Sequence, residues 1–597
     1  MKDFFRQQRE LAKEQEDLAK KKVNHFTVAR LLIFILFVAS FIVRFNSDNP
    51  VWNGIILGLL VLFLIAMRLH QKAQRQLRFF QNLIKLNDDE EKRLDFEFTR
   101  EDTGQIYGDV NHPYASDLDL FGKHSLYRLL NRTQTSQGAA RLADWLARPA
   151  PLEVLLERQK ALQESKGNHA WRQQWQATAL LNQHATQNVE ALKSCLQNPL
   201  DESLRKGLAW KWWSLITLAL LGAWAINLIP LWPVGFSLAY HFLILRKYGP
   251  VVRGLMEQTT HIGQTLDAYA DLASLGRRTD LKSNWWKLQL APLEEAEKGF
   301  KELGNWFSRL DFRANAYFSL FVGIPILWDL ICLDALEKWK DKYGTQLNDW
   351  LDALANIEAM NSITGHAFAH PDHVLPEIHW GNEMEISCDQ IGHPLIPENK
   401  RVCNDFELKG TGLTILITGS NMSGKSTFLR TLGVNLVLAQ MGCVVTARRM
   451  VCTPMLVFTS MRTQDSLEEN TSSFYAELKR LRQLIELATN SKKGLPVFYL
   501  LDEILKGTNS ADRNRGAVAL VKQLHPLQAS GLVSTHDLEL GVWGEQQPFV
   551  KNYHFRSDLK DGQITFDYRL SPGTCSSFNA SELMRMMGIK VAPDGEK

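Results

Sequence analysis

The pattern of apolar and polar positions changes abruptly near the amino terminus. Residues Met1–Asn24 are mostly charged or polar and end near Lys20, Lys21 and Lys22. Phe26–Phe45 is then apolar except for Thr27, Arg30, Ser40 and Arg44, and Val51–Met67 is apolar again after the polar turn Asn46–Pro50. Each run is long enough to cross about 30 Å of hydrocarbon. Arg30 and Arg44 lie near the ends, where long side chains can snorkel to the interface. The pattern predicts a transmembrane hairpin, with a buried hairpin of a soluble domain as the alternative. A cleaved signal peptide fits poorly, because the apolar run starts late and no small-residue cleavage site follows it.

A second pair of apolar runs, Trp212–Ile229 and Leu231–Leu245, is broken by Pro230 and Pro233, with Trp210, Trp212, Trp213 and Trp232 near its ends, as interface-anchoring aromatics would be. Lys20–Lys22, Arg68, Lys72, Arg75 and Arg78 flank the first pair. Lys206, Lys211, Arg246, Lys247 and Arg253 flank the second. The positive-inside rule therefore puts both termini on the cytoplasmic side of a cell (inner or plasma) membrane crossed about four times. A fifth apolar stretch, Ala314–Ala335, carries Asp329 and Asp334. Counting it as a span would move the carboxyl-terminal half outside, so it is expected to be a buried helix.

The remaining pattern is helical until about Pro376, where short β-rich runs take over. The boundaries expected are a charged segment 1–25, hairpin one 26–68, a linker 69–114, a helical region 115–205, hairpin two 206–247, long helices 248–375 and an α/β domain 376–597. A length of 597 residues requires several structural units, and a formal net charge of +3 neither requires nor excludes nucleic acid. The seven scattered cysteines form no C-x-x-C pair, which suggests reduced thiols and no zinc–thiolate site.

The α/β domain carries the chemistry. Apolar Leu413–Ile417 leads into Gly419-Ser420-Asn421-Met422-Ser423-Gly424-Lys425-Ser426 and then a helical pattern from Thr427. This is a G-x-x-x-x-G-K-[ST] phosphate loop in strand–loop–helix context. Backbone N–H groups of Gly419–Thr427 and the helix's positive end would cradle the phosphates of ATP. Lys425 would reach the β- and γ-phosphates, and Ser426 would bind Mg²⁺. Val497–Glu503 is an apolar strand ending in two carboxylates, so Asp502 would hold Mg²⁺ and Glu503 would polarise the attacking water. Gly531–Ser534 is another apolar strand, followed by Thr535 and His536, a candidate γ-phosphate contact.

Taken together, Thr418–Thr427, Asp502-Glu503-Ile504 with Gly507-Thr508, and Ser534-Thr535-His536 resemble the ATPase domain of MutS proteins, the ABC-type ATPases of DNA mismatch repair. Residues Asp465–Glu477 resemble the short helix-start motif that reaches the γ-phosphate of a partner subunit. The resemblance implies that role for Ser472, and a place beside the attacking water for Asn421. Weaker resemblance to the MutS core helical domain runs through Asp117–Phe121, Asn131–Thr133, Trp145-Leu146 and Arg158-Gln159, and His393-Pro394 and Asn404-Asp405 resemble the lead-in to its ATPase. The implied architecture is an α/β P-loop (ABC-type) ATPase domain, carboxyl-terminal to a mainly helical MutS-core-like domain, with two transmembrane hairpins. A homodimer through the ATPase domains and DNA as ligand are implied with it.

The sequence departs from the family at Ser420 and Ser423, which replace Pro and Gly, and at Asn470, which replaces Gly. No Phe-x-Glu triplet of the kind that wedges beside a mismatched base stands ahead of the first hairpin, so mismatch reading is not expected. Two rivals remain: a membrane ATPase that remodels a protein or lipid partner without DNA, and an ABC transporter. The second lacks an L-S-G-G-Q sequence and has few polar intramembrane residues.

Overall fold

The computed structural model describes residues 1–47, 49–181, 193, 209–258, 262–381, 383–420, 422–462, 473–491, 494–560 and 563–574. Two very long helices open the chain, α1 (Lys2–Phe45) and α2 (Val51–Arg93), which run antiparallel across the short turn between them. Their apolar halves are largely exposed, including Leu31, Phe41, Leu57 and Leu62. By length and composition both could cross a membrane. The helices continue past the apolar stretch as a charged stalk zipped by Arg6–Glu91 (2.9 Å) and Arg9–Asp88 (3.1 Å). The stalk docks on the helical body through fully buried Phe5, whose ring packs against His169 and Phe368.

The helical body comprises α3 (Leu126–Leu130), α4 (Ser136–Ala147), α5 (Leu152–Ser165), α6 (His169–Leu180), α7 (Ala209–Ala225), α8 (Trp232–Gln258), α9 (Ile262–Arg277), α10 (Asn284–Leu290), α11 (Leu293–Leu310), α12 (Trp328–Tyr343) and α13 (Leu347–Ala369). Helix α13 is its axis, buried nearly throughout. Trp175, Trp286, Phe300 and Trp350 fill the space around it, and one apolar core runs on from there into the carboxyl-terminal sheets. Two buried carboxylates of this body and the stalk are paired. Glu358 of α13 accepts hydrogen bonds from Thr135 N (3.0 Å) and Thr135 Oγ1 (2.6 Å) at the cap of α4. Burial, only partly offset by those bonds, raises its carboxyl pKa. Arg132 donates to Glu90 of α2 through Nε (2.6 Å) and Nη2 (2.8 Å), a buried bidentate pair tying the stalk to the body.

The second apolar region differs from the first. Helix α7 has 17 residues, and its apolar part, Trp212–Ala225, is shorter than the spans in α1 and α2. The stretch expected to be one buried helix, Ala314–Ala335, is broken. Residues 316–326 form short helical pieces around a π-turn at Ser319–Gly323, then bend by 73° into α12. The break follows from Pro325, which has no N–H for the helix ladder, and from Leu327, which is left-handed at φ 53°. Nor is the first half buried, since Tyr317 is 77% and Phe321 70% exposed. This half packs on α7 and α8, where His241 Nδ1 donates to the Ile324 carbonyl (2.9 Å) and Ser214 Oγ to that of Ile326 (3.2 Å).

Two sheets complete the chain. A four-stranded sheet has the order β1 (Glu377–Ile378), β5 (Arg449–Cys452), β2 (Glu385–Ile391), β3 (Asn404–Lys409). The larger sheet has the order β10 (Gln563–Pro572), β9 (Val550–Lys560), β4 (Thr414–Thr418), β8 (Ser530–Thr535), β7 (Val497–Asp502), β6 (Leu456–Ser460). Strands β6, β7, β8, β4 and β9 are mutually parallel and β10 is antiparallel. Helices α14 (Lys425–Met441), α15 (Ser473–Asn490), α16 (Ser510–Leu524) and α17 (Leu538–Glu545) connect its strands. Strands β4, β7 and β8 are buried almost without a break, as expected for a sheet covered on both faces.

The Glu90→Gln substitution leaves the buried Arg132 guanidinium without its counter-charge. It is expected to destabilise the fold by about 3 kcal/mol, read as a lowered denaturation midpoint of the detergent-solubilised chain. An unchanged midpoint would show that the pair does not hold the stalk.

Candidate functional site

The carboxyl ends of β4, β7 and β8 open on one cavity of about 650 Å³. Met422–Thr427, Asp502, Glu503 and Lys506 line it, together with a wall of Ile391, His393, Val402, Phe428, Phe555 and Tyr568 that also includes Lys400, Arg401 and Asn404. The loop after β4 can turn back on itself because Gly419 (φ 153°) and Gly424 (φ 104°) take backbone angles that L side chains rarely adopt. A side chain at Gly424 would also press on Tyr568, with Cβ 3.0 Å from Cδ1. Gly424 then caps α14, whose first residue is Lys425.

Lys425 is buried, and its ammonium donates to the carbonyls of Gly419 (2.7 Å) and Ser420 (2.9 Å). The hydroxyls of Ser420 and Ser423 are buried without hydrogen-bond partners among the described residues. A cation, two hydroxyls without partners and the start of a 17-residue helix make this loop a receptor for an anion. Asp502 ends β7, where Ser534 Oγ of β8 donates to Oδ1. Ser426 and Asp502 line the same cavity and supply the oxygen donors that suit Mg²⁺.

Glu503 is left-handed at φ 48°, its N–H donating to the Ser534 carbonyl (3.0 Å). Its carboxylate pairs with Lys506 (2.9 Å), and His536 Nδ1 lies 3.9 Å away. Burial opposes ionisation of Glu503, but the hydrogen bond and charge of Lys506, with Lys425 and His536, outweigh it and hold the carboxyl below its ordinary range. On the far wall, burial pushes His393 down to about 4, so that ring is neutral. That wall can accept a flat, uncharged group beside the anion site.

Met422, Ser423, Gly424, Lys425, Ser426, Thr427, Asp502 and Glu503 thus meet around one space, as their motifs predict. Gly419, Ser420 and His536 stand behind it, supporting Lys425 and Glu503. Asn421 and Ser472 lie outside the described residues, as does Asn470. Three contributors carried no expectation from the sequence. Lys506 was findable from its i+3 spacing to Glu503. Glu477 of α15 accepts a hydrogen bond from Leu505 N, anchoring the turn after Glu503. Tyr568 comes from β10 and is held by Asn404, whose Nδ2 donates to its carbonyl (3.1 Å). Nothing local to the loop announces it.

The fold and cavity define an α/β domain built to bind an anionic ligand where parallel strands end. Residues 415–592 match MutS domain V. DNA mismatch repair protein MutS 2 of Halobacterium salinarum is 31% identical over 241 residues, 40% of this chain and 27% of that protein. DNA mismatch repair protein MutS of an Exiguobacterium species is 35% identical over 188 residues, 30% of this chain and 22% of that one. DNA mismatch repair protein MSH4 of Arabidopsis thaliana is 28% identical over 232 residues, 38% and 29% of the two chains. The carboxyl-terminal part of the chain therefore carries a MutS-type domain. The chain spans only about a quarter of the length of these curated relatives.

The depressed Glu503 pKa has a defined sign in stability. A carboxyl held below its unfolded value contributes stability above the ordinary carboxylate range and loses it as pH falls through the folded value. Lys506→Met should therefore be less stable than the parent near neutral pH, with the gap closing as the solution is acidified. Denaturation midpoints measured across pH 3–7 test this, and a gap that ignores pH would exclude the pair as its source.

Proposed function

We propose that the chain is a membrane-anchored MutS-like ATPase that binds ATP with Mg²⁺ in this cavity, hydrolyses it and works as a homodimer. Its ATPase domain faces the cytoplasm from the cell membrane, and DNA is its ligand without mismatch reading. The observation that carries the nucleotide reading is the meeting of Met422–Thr427, Asp502 and Glu503 at one cavity.

In this mechanism Lys425 exchanges the Gly419 and Ser420 carbonyls for phosphate oxygens, so the ligand replaces bonds the lysine already makes. The Ser420 and Ser423 hydroxyls gain the partners they lack. Ser426 and Asp502 would hold Mg²⁺, which supplies charge neutralisation at the phosphates. Glu503 takes the proton of the attacking water, and its depressed pKa keeps it ionised and ready. Lys506 must release the carboxylate first, so that pair acts as a latch on the base. The wall with neutral His393 suits a nucleobase. Ser472 of a second copy is the residue expected to reach the γ-phosphate.

Membrane anchoring rests on α1 and α2, whose exposed apolar halves are long enough to span. A four-span arrangement would add α7 and α8. In that arrangement the bent segment before α12 dips in and returns on the same side, keeping the cavity cytoplasmic.

One observation favours a second reading, ATP-driven remodelling of a protein or lipid partner without DNA. The stalk of α1 and α2 is locked to the body through Phe5 and the Arg132–Glu90 pair, so domain motion would reach the bilayer directly. Titrating the ATPase rate with duplex, branched and mismatched DNA separates the two. Salt-sensitive binding and stimulation support DNA; their absence supports remodelling.

Lys425→Ala should abolish nucleotide binding by the purified protein. Glu503→Gln should bind ATP normally with turnover reduced by about 10²–10⁴-fold, measured as phosphate release. Normal turnover in Glu503→Gln would remove that residue from its role. Membrane-impermeant labelling of cysteines introduced near the carboxyl terminus should succeed only in inside-out vesicles.

A further inference from the structure

Beside the middle of α14, linked to Asn435 through Thr446, lies a group of three histidines that the ATPase reading leaves unused. His366 is in the last turn of α13, His370 caps that helix, and His373 is in the loop leading to the Val374–Val445 bridge. One ring nitrogen from each lies within 4.8 Å of the other two. The rings are packed on one another, with centroids 4.4 Å apart for His366 and His370 and 4.8 Å for His370 and His373. His366 is fully buried and His373 is 8% exposed.

Buried ring nitrogens normally have partners. Here both nitrogens of His366 and Nδ1 of His373 are buried with none among the described residues. The remaining bonds orient the other two rings. His370 Nδ1 donates to the His366 carbonyl (3.1 Å), which leaves Nε2 with a lone pair. His373 Nε2 lies 3.3 Å from Thr446 Oγ1, and donating there leaves the Nδ1 lone pair free. Each histidine can therefore present an uncommitted nitrogen, with a backbone or hydroxyl group orienting the opposite side of two of the rings. That is the outer-shell arrangement of metal-binding histidines.

We propose that His366, His370 and His373 form a binding site for one zinc-type divalent transition-metal ion at the seam between the end of α13 and the middle of α14. Three neutral imidazoles with no carboxylate select zinc, nickel or copper over Mg²⁺ and Ca²⁺. Tetrahedral zinc holds ligand nitrogens about 3.3 Å apart, so the rings would close from within 4.8 Å of one another on binding. Two of the nearby cations are engaged in bonds of their own. Arg132 is paired with Glu90, and Arg401 donates to the Ile396 carbonyl through Nε (3.0 Å) and Nη2 (2.7 Å). Burial also pushes His370 down to about 4, so its ring is uncharged near neutral pH.

The position gives the ion a role distinct from the ATPase chemistry. Thr446, which orients His373, donates its N–H to Asn435 Oδ1 of α14 (2.8 Å). The ion would fix the end of the body's axial helix and the turn after it, which Thr446 joins to the helix that starts at the phosphate loop. Open coordination positions remain for water.

The test uses the full-length, tag-free chain in detergent, stripped with a chelator and titrated with Co²⁺ and then Zn²⁺. The expected result is saturable binding of one Co²⁺ per chain with the visible absorption of tetrahedral coordination, displaced by Zn²⁺ and unaffected by millimolar Mg²⁺. His370→Gln should weaken binding at least tenfold, and Thr446→Val about tenfold as an outer-shell change. His370 is only half-buried, so this variant carries the test if His366→Gln does not fold. Retained nucleotide binding reports that each variant is folded. Absence of saturable Co²⁺ binding, or equal binding by folded His370→Gln, would overturn the proposal.

Discussion

Parallel strand pairing is the constraint on which the site depends. In the large sheet Thr418 pairs with Thr535, Asp502 with Ser534, and Thr418 on its other side with His554. This register brings the ends of β4, β7 and β8 level, so the loops that leave them emerge side by side. A one-residue slip of β7 would turn Asp502 to the opposite face and bury a carboxylate among apolar side chains. The strands are buried on both faces, which makes such a slip costly. Ligands of open parallel sheets collect at these ends for the same reason.

The helical body grips the layer that carries the cavity at several points. Asp117 accepts hydrogen bonds from Thr459 Oγ1 (2.7 Å) and from the N–H groups of Met461 and Arg462 (both 3.1 Å) just beyond β6. Asp119 pairs with Arg462 (2.8 Å) and with Arg430 on α14 (3.1 Å). At the other end of α14, the Gln440 carbonyl accepts from Ala150 N (3.2 Å) and that of Met441 from Arg158 (3.3 Å). Helix α14 is thus held near both ends by segments of the body, and the body is held to α2 by Arg132 and Glu90. Any displacement of the phosphate loop meets a continuous path of packed and charge-paired groups leading to the stalk.

Much of the site was legible because its signals are local. The glycine spacing of Gly419–Ser426, the carboxylates at Asp502 and Glu503, and the apolar runs of α1 and α2 each lie within one element. Local period and turn chemistry decide such features. The continuation of α1 and α2 into a stalk was not legible, because helical charge patterning does not say what Phe5 will pack against. The bend at Leu327 was equally hidden. Pro325 warned of a break, but the exposure of Tyr317 and Phe321 depends on how α7 and α8 leave that face open. Tyr568 and Glu477 reach the site from distant elements, whereas the three histidines are local neighbours, His366 and His370 one helical turn apart and His373 in the turn that follows.

By itself the sequence determined which segments are apolar enough for a bilayer, where an anion loop opens a helix, and which carboxylates end a buried strand. Each of these is set by covalent neighbours within a few residues. The tertiary structure alone decided which side chains far apart in the chain share a cavity or a charge pair. Those meetings depend on strand register and on which helix faces bury together, and no periodicity along one segment contains either.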